Sequence, residues 1–172
     1  MKRLIHKKDF NFFNQDFYNS KDYKKLVKYV NRYSRDDVLN IPHEFVEYET
    51  SIMEYVFNEL ELSDEYHQYL YGIVHCNRVE RHTDAASYKH TILFIMQVDK
   101  ESYIFVEDNI CENMQKGDIV YLNNEIGHGL DGNGGKPFIA IAFDFPYKLT
   151  IDILDRLKLW KKNMKKSQLL SV

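Results

Sequence analysis

Three side chains in the second half of the chain have the types and spacing of metal ligands. The stretch "RHTDAASYKHTILF" contains His82 and Asp84, one residue apart, just ahead of an apolar run. Because alternate residues of a strand point to the same side, both can reach one ion where a strand ends. The stretch "GDIVYLNNEIGHGL" adds His128 at the start of a later strand. The sequence therefore predicts one metal site built from these three residues.

The composition bounds the classes of protein to consider. The chain has 172 residues with 44% hydrophobic and 28% charged residues, a globular balance that fits one domain over 1–172. A net charge of −3 provides no basic field for nucleic acid. We expect no secretory signal and no membrane span, and hence a cytoplasmic protein. Cys76 and Cys111 form no close-spaced motif, and a disulfide between them stays an open alternative.

Helical patterns occupy both ends of the chain. Residues 1–65 are predicted to be a helical N-terminal part, with one helix after an N-cap at Ser20 and a second from about Thr50 to Leu60. Residues 147–172 return to helical spacing, with apolar positions on one side and lysines on the other. We expect these helices to lie against one face of whatever the middle of the chain forms.

The middle of the chain, residues 66–146, reads as strands. Six short runs there are aromatic or β-branched and are bounded by turn residues or charges: "YLYGIVHC", "KHTILFIMQV", "SYIFVED", "GDIVYL", "IGHGL" and "KPFIAIAFDF". Six strands without helical spacers indicate antiparallel sheets in a sandwich or a barrel. The predicted class is therefore mainly β, with a β-barrel core and helices covering one outer face.

The last run, "KPFIAIAFDF", alternates between a bulky face and a thin one. The bulky face, which we expect under the helices, carries Ile139, Ile141, Phe143 and Phe145. The other face, which we expect toward the barrel interior, carries Lys136, Phe138, Ala140 and Ala142. A buried lysine needs a partner, so this face favours an anionic ligand. The alternative is a solvated Lys136 at the turn after "GNGG".

Together these motifs resemble the Fe(II)/2-oxoglutarate-dependent dioxygenases over about residues 66–146. The resemblance implies a double-stranded β-helix, also called a jelly roll or cupin-like barrel, with helices outside the larger sheet. It implies that His82, Asp84 and His128 are the catalytic facial triad that binds Fe(II). The cosubstrate 2-oxoglutarate would chelate the iron and pair its distal carboxylate with Lys136. The enzyme would then use O2 to hydroxylate, or otherwise oxidise at a C–H bond, a small molecule or an amino-acid side chain.

Other residues compete for the cosubstrate. "YKHTILF" resembles the strand on which JmjC-type asparaginyl hydroxylases carry their anchoring lysine, which would make Lys89 the anchor instead of Lys136; the alternative is a surface lysine. Tyr71 and His75 are predicted to share a face of one strand, and either could hydrogen-bond the cosubstrate, although a paired core histidine is the simpler role for His75. The chain lacks the Gly-Gly pair that many family members have near "ESYIFVED".

Two other classes of function stay open. "GDIVYLNNEIGH" resembles the second cupin motif, with Asn123 and Glu125 in place of its proline and glycine, although the first cupin motif is absent. A cupin would use a metal without 2-oxoglutarate. Lysines interleaved with aromatics in "KDYKKLVKY" and in the C-terminal helix suggest an interaction protein, but solvated helix faces explain them more simply. We therefore expect a small-molecule or amino-acid substrate, no membrane partner and no nucleic acid.

Overall fold

The computed structural model describes residues 3–37, 39–40, 46–84, 89–132 and 135–170. Residues 85–88, which follow Asp84, lie outside the described residues. In the described ranges the strands are β1 Leu4–Lys7, β2 Leu39–Asn40, β3 Leu70–Cys76, β4 Val79–His82, β5 His90–Gln97, β6 Tyr103–Val106, β7 Asn109–Cys111, β8 Ile119–Asn123, β9 His128–Asp131 and β10 Phe138–Phe145. The helices are α1 Gln15–Asn19, α2 Lys21–Tyr33, α3 Val46–Glu59 and α4 Tyr147–Leu170, with a 3-10 helix at Asp64–Tyr69.

The strands form two antiparallel sheets. The large sheet has the order β1-β8-β5-β10-β3-β2, and the small sheet has the order β4-β9-β6-β7. From β3 onward the chain passes back and forth between the sheets, and hydrogen-bonded neighbours run antiparallel. This order is that of a double-stranded β-helix, or jelly roll. The predicted fold class is confirmed.

The helices pack on the outer face of the large sheet, as predicted. Ser20 caps α2 by accepting a hydrogen bond from the backbone N–H of Tyr23 at 3.2 Å. The bulky face of β10 is buried in the same core as α2, α3 and α4, and this core is rich in aromatic rings. Helix residues in it include Leu26, Val30, Ile52, Val56, Leu60, Ile153 and Leu157. None of the described helices is both long and apolar enough to cross a membrane.

Four strands and part of one helix were not predicted. The N-terminal part contributes β1, which pairs with β8, and β2, which pairs with β3, so it is not only helical. Every residue of β1 is partly buried, so the strand shows no alternation, and β4 and β7 have only four and three residues. Such segments are strands because a neighbouring strand pairs with them, which periodicity does not reveal. Helix α3 begins at Val46, four residues before the predicted start.

A second apolar core lies between the two sheets. Phe138, Ala140 and Ala142 belong to it, as the alternation of β10 predicted. Cys76 and Cys111 are both buried in it as free thiols, and burial raises the pKa of each to about 12. The two cysteines therefore do not form the disulfide that the sequence left open.

Candidate metal centre

The three predicted ligands come together at one end of the barrel. His82 ends β4 and His128 begins β9, and the two residues face each other as partners in the antiparallel ladder. Asp84 lies two residues beyond β4, with its carboxylate 3.2 Å from His82 Nε2 and 3.6 Å from His128 Nε2. One ligand atom from each residue lies within 4.8 Å of the others. Small rotations of these side chains would bring all three ligand atoms to bond lengths of about 2 Å from a single ion.

Backbone carbonyls orient both imidazoles toward the shared point. His82 Nδ1 lies 2.8 Å from the carbonyl oxygen of Glu80, and His128 Nδ1 lies 2.9 Å from that of Ile126. A carbonyl oxygen only accepts, so each Nδ1 carries the proton and each Nε2 keeps a free lone pair. Burial lowers the pKa of His128, which favours the neutral ring that a metal requires.

Asn124 holds the carboxylate in place. The backbone N–H of Asp84 donates to the Asn124 carbonyl at 3.0 Å, and the Asn124 amide donates to Asp84 Oδ2 at 3.1 Å. The same amide nitrogen donates to Thr91 Oγ1 at 3.1 Å, and the Thr91 hydroxyl donates to Asp144 Oδ1 at 2.6 Å. A chain of hydrogen bonds therefore runs from the candidate ligand Asp84 to a second carboxylate, Asp144.

The close approach of β4 and β9 depends on Gly129. A Cβ atom at this position would lie 2.5 Å from the carbonyl oxygen of Val79 and 2.6 Å from the ring of Phe105. Any side chain here would push β9 away from β4. The glycine next to His128 therefore lets the two histidine-bearing strands pair closely.

A cavity of about 390 Å³ opens beside the three residues. Its walls are mostly apolar side chains from the interior core, among them Val74, Leu93, Leu122 and Phe138. The polar residues that line it are Tyr71, His82, Asp84, Thr91, His128 and Asp144. A mostly apolar pocket with a few convergent polar groups is the usual form of a small-ligand site.

Asp144 is the second carboxylate of this cavity. It lies near the end of β10 and is half-buried. Burial raises the pKa of Asp144; the Thr91 hydroxyl opposes this shift, and the charge of Asp84 adds to it. No lysine or arginine is among the described residues that line the cavity.

The structure does not bring Lys136 to the cavity, contrary to the strand pattern. Strand β10 begins at Phe138, so Lys136 precedes the strand in an exposed turn, where its backbone N–H donates to Asp99 at 3.3 Å. The alternation that assigned Lys136 to the interior face does not extend past the end of the ladder. Phe138 is the first side chain of that face to reach the interior core.

The other predicted cosubstrate residues also lie apart. Lys89 is exposed and pairs with Glu125. His75 is buried on the helix side of the large sheet, where its Nδ1 lies 3.2 Å from the Ser34 hydroxyl and its ring contacts Tyr29. Lys89 is therefore a surface lysine and His75 a paired core histidine, which are the alternatives that the sequence left open for them.

Tyr71 does line the cavity, but not through the face predicted for it. A bulge in the pairing of β3 with β10 shifts the register beside Gly72, which has a φ of 124°. One extra residue reverses the alternation. Tyr71 therefore shares the cavity side with Val74 and Cys76, while His75 faces the helices.

Three residues of the site were not predicted from the sequence: Thr91, Asn124 and Asp144. The pattern of "KPFIAIAFDF" held a signal for one of them. Asp144 continues the interior face of Ala140 and Ala142, and an aspartate on an interior face is a candidate for function. For Asn124, nothing local distinguishes it from Asn123, because its role depends on contacts with residues 33 and 40 positions away.

Similarity to known proteins is found in structure and not in sequence. No family model matches the chain, and no curated protein matches it. Among solved structures, the chain is similar to a prolyl hydroxylase in complex with a hypoxia inducible factor oxygen degradation domain peptide fragment from Trichoplax adhaerens. The TM-score is 0.49 at 11% sequence identity, covering 85% of this chain and 84% of that one.

Proposed function

We propose that the protein is a non-haem Fe(II) oxygenase that oxidises a ligand held in the barrel cavity. One observation carries the proposal: His82, Asp84 and His128 converge within 4.8 Å at the mouth of a mostly apolar cavity. Two imidazoles and one carboxylate suit Fe(II) and leave coordination positions open. A closed structural zinc site would need a fourth protein ligand, and no such ligand joins the group among the described residues.

The chain supplies the surroundings that such chemistry needs. Bound Fe(II) would provide the capacity to activate O2, and hydroxylation of a C–H bond would take up one oxygen atom while a two-electron co-reductant takes up the other. The carbonyls of Glu80 and Ile126 fix the tautomers of the two histidines, and Asn124 orients Asp84. Such outer contacts typically change metal affinity by about 10–100-fold when they are removed.

The described cavity lining offers no cationic partner for the distal carboxylate of 2-oxoglutarate. This carboxylate needs a cationic or hydrogen-bonding partner when it is buried. Lys136 and Lys89 are both exposed and outside the cavity lining, and the charged group on β10 that does line it is the acid Asp144. Lys136 is therefore not supported as the anchor of 2-oxoglutarate.

A second candidate function follows from the same observation. A cupin-type metal enzyme or metal-binding protein that does not use 2-oxoglutarate needs no cation in the barrel, and the described lining offers none. The two candidates share the metal site. The first candidate extends to oxygenases that decarboxylate 2-oxoglutarate to succinate, and the cupin-type candidate does not, so production of succinate separates the two.

The metal site and the oxygen chemistry are tested together under controlled iron loading. Protein reconstituted anaerobically with Fe(II) is exposed to O2, and oxygen uptake is followed with and without 2-oxoglutarate. We expect iron-dependent uptake that is absent in His128→Ala and retained in His67→Ala, a change at an exposed histidine on the 3-10 helix. Equal uptake in the two variants would overturn the proposal. Iron-dependent succinate production would favour the 2-oxoglutarate candidate, and its absence the cupin-type one.

A further inference from the structure

We propose that Asp144 and Thr91 form a binding site for a ligand that carries a protonated amine on an apolar chain. The inference deepens the proposed function, because it names the class of substrate for the cavity beside the candidate metal centre. It rests on three observations: the Thr91 and Asn124 donors that lead to Asp144 are already used, the charge of Asp144 has no cationic partner in the described structure, and most of the remaining walls are apolar.

The hydrogen-bonding inventory leaves acceptors unsatisfied. The Thr91 hydroxyl donates to Asp144, and the Asn124 amide donates to both Thr91 and Asp84. The two histidine Nδ1–H groups donate to backbone carbonyls. Among the described residues, no hydrogen-bond donor reaches the buried Asn124 Oδ1. The Thr91 hydroxyl bonds Oδ1 of Asp144, and no described donor bonds the second carboxylate oxygen. Asp144 lines the cavity, so its second oxygen can accept a hydrogen bond from a ligand that donates one.

The negative charges in the cavity decide which kind of hydrogen-bond donor a ligand should carry. Asp84 and Asp144 both line the cavity, and no described lysine or arginine lines it or forms an ion pair with Asp144. A metal ion would offset the charge of Asp84. Asn124 and Thr91 separate Asp144 from Asp84 along the chain of hydrogen bonds, so a metal ion bound by Asp84 would not be a direct partner of Asp144. A buried carboxylate without a partner is costly, and an ammonium group supplies both the charge and the donors. A dicarboxylate supplies neither.

The rest of the cavity suits a hydrocarbon chain. Val74, Leu93, Leu122, Phe138 and Ala142 line its walls, and its volume of about 390 Å³ is enough for a small molecule or an extended side chain. A free alkylamine and the side chain of a lysine share this chemistry. In either case the amine on Asp144 would fix the position of the chain relative to the candidate metal centre.

Three probes with one chain length isolate the head group. Hexylamine, hexanol and hexanoate are titrated by calorimetry into Zn(II)-loaded protein and into metal-free protein. We expect hexylamine to bind at least about tenfold more tightly than hexanol, because a charge-assisted hydrogen bond is about twice as strong as a neutral one. In metal-free protein, where no open metal position can bind a carboxylate, we expect hexanoate to bind most weakly. Binding of hexanoate as tight as that of hexylamine to metal-free protein would overturn the proposal.

Two variants assign the effect to Asp144. In Asp144→Asn the preference for hexylamine over hexanol should disappear, while Asp131→Asn should keep it, because Asp131 lies outside the cavity lining and bonds Tyr103. An unchanged preference in Asp144→Asn, with its fold verified by circular dichroism, contradicts the proposal. A capped lysine, N-acetyl-lysine methylamide, distinguishes the sources: tighter binding than hexylamine assigns a protein substrate, and weaker binding a free amine. These titrations need neither iron nor turnover, so they can fail while the oxygenase proposal stands, and the reverse.

Discussion

The two faces of β10 have different roles in the molecule. Its outer face is a row of large apolar side chains that packs against the helices, where Phe143 and Phe145 stack with ring centroids 5.4 Å apart. Its inner face is thinned by alanines and ends in Asp144, a half-buried carboxylate. The outer face has dense apolar packing, and the inner face combines a cavity with unsatisfied acceptors.

The difference shows where stability and chemistry reside. Close packing of large side chains supplies most of the free energy of folding. Cavities and half-buried carboxylates reduce that free energy, and proteins retain them where function requires them. We therefore expect changes on the outer face to lower stability with little effect on metal binding, and changes at the inner site to do the opposite.

The largest expected effect is on the outer face. Phe143 is fully buried and contacts Phe57, Phe94 and Phe145. Phe143→Ala should lower the free energy of unfolding by about 3–5 kcal/mol, the usual cost of truncating a buried phenylalanine. Urea denaturation measures this loss. The affinity of the folded variant for Zn(II) should stay near that of wild type. A decrease of less than about 1 kcal/mol in the free energy of unfolding would contradict the division between the faces.

The next effect is at the candidate metal centre. His82→Ala removes one of three ligands, and we expect Zn(II) affinity to fall by at least about 100-fold, or about 3 kcal/mol. The side chain of His82 is 38% exposed, so the unfolding free energy of the metal-free protein should hardly change. Competition with a chromophoric chelator measures the affinity. His67→Ala is the matched control, and equal affinities in the two variants would remove His82 from the site.

A smaller effect should follow when Asp84 loses its support. Asn124→Ala removes the amide that donates to Asp84 Oδ2 and to Thr91. We expect Zn(II) affinity to fall by about 10–100-fold, as is usual for partners of metal ligands. Asn123→Ala is the matched control, because Asn123 caps the backbone N–H of Glu125 and touches neither carboxylate of the cavity. If Asn124→Ala binds Zn(II) as tightly as wild type does, Asn124 supports the fold and not the metal site.

The smallest expected effect is a pH-dependent gain in stability. Burial and the nearby charge of Asp84 raise the pKa of Asp144 in the folded state. The folded protein therefore holds this proton more tightly than the unfolded chain, and ionisation of Asp144 costs stability as the pH rises above the unfolded pKa of about 3.9. Asp144→Asn cannot ionise and can still accept from Thr91. In metal-free protein its Tm should exceed that of wild type at pH 7, and the difference should shrink toward pH 4.

Thermal unfolding of the two proteins between pH 4 and pH 8 checks this sign. A Tm that is lower in Asp144→Asn than in wild type at pH 7 would mean that the carboxylate stabilises the fold. Asp144 would then be a structural residue, and the inner face would resemble the outer one.

The sequence predicted features that depend on local alternation. The two faces of β10 follow from side-chain direction within one strand, and the start of α2 follows from the capping residue Ser20. His82 and Asp84 were predicted from their spacing, although Asp84 lies beyond the end of β4. His128 joined them because it begins a strand that pairs with the strand ending at His82. These predictions needed only the period of each element and the order of the elements.

Other features required tertiary contacts. The position of Lys136 depended on where the ladder of β10 begins, and that of Tyr71 on one bulged residue beside Gly72. Each shifts a side chain between faces without changing the residue pattern. The bonds of Asn124 to Thr91 and Asp84 span the long loops of a β-barrel, which no local pattern encodes.

The most direct test of the central claim is X-ray absorption spectroscopy of the anaerobic Fe(II)-loaded protein. We predict one iron per chain with nitrogen and oxygen neighbours at about 2.0–2.2 Å and a multiple-scattering signal that fits two imidazoles. In His82→Ala the signal should fit one imidazole. A wild-type protein that retains no iron, or a spectrum unchanged by His82→Ala, would contradict the assignment of this site.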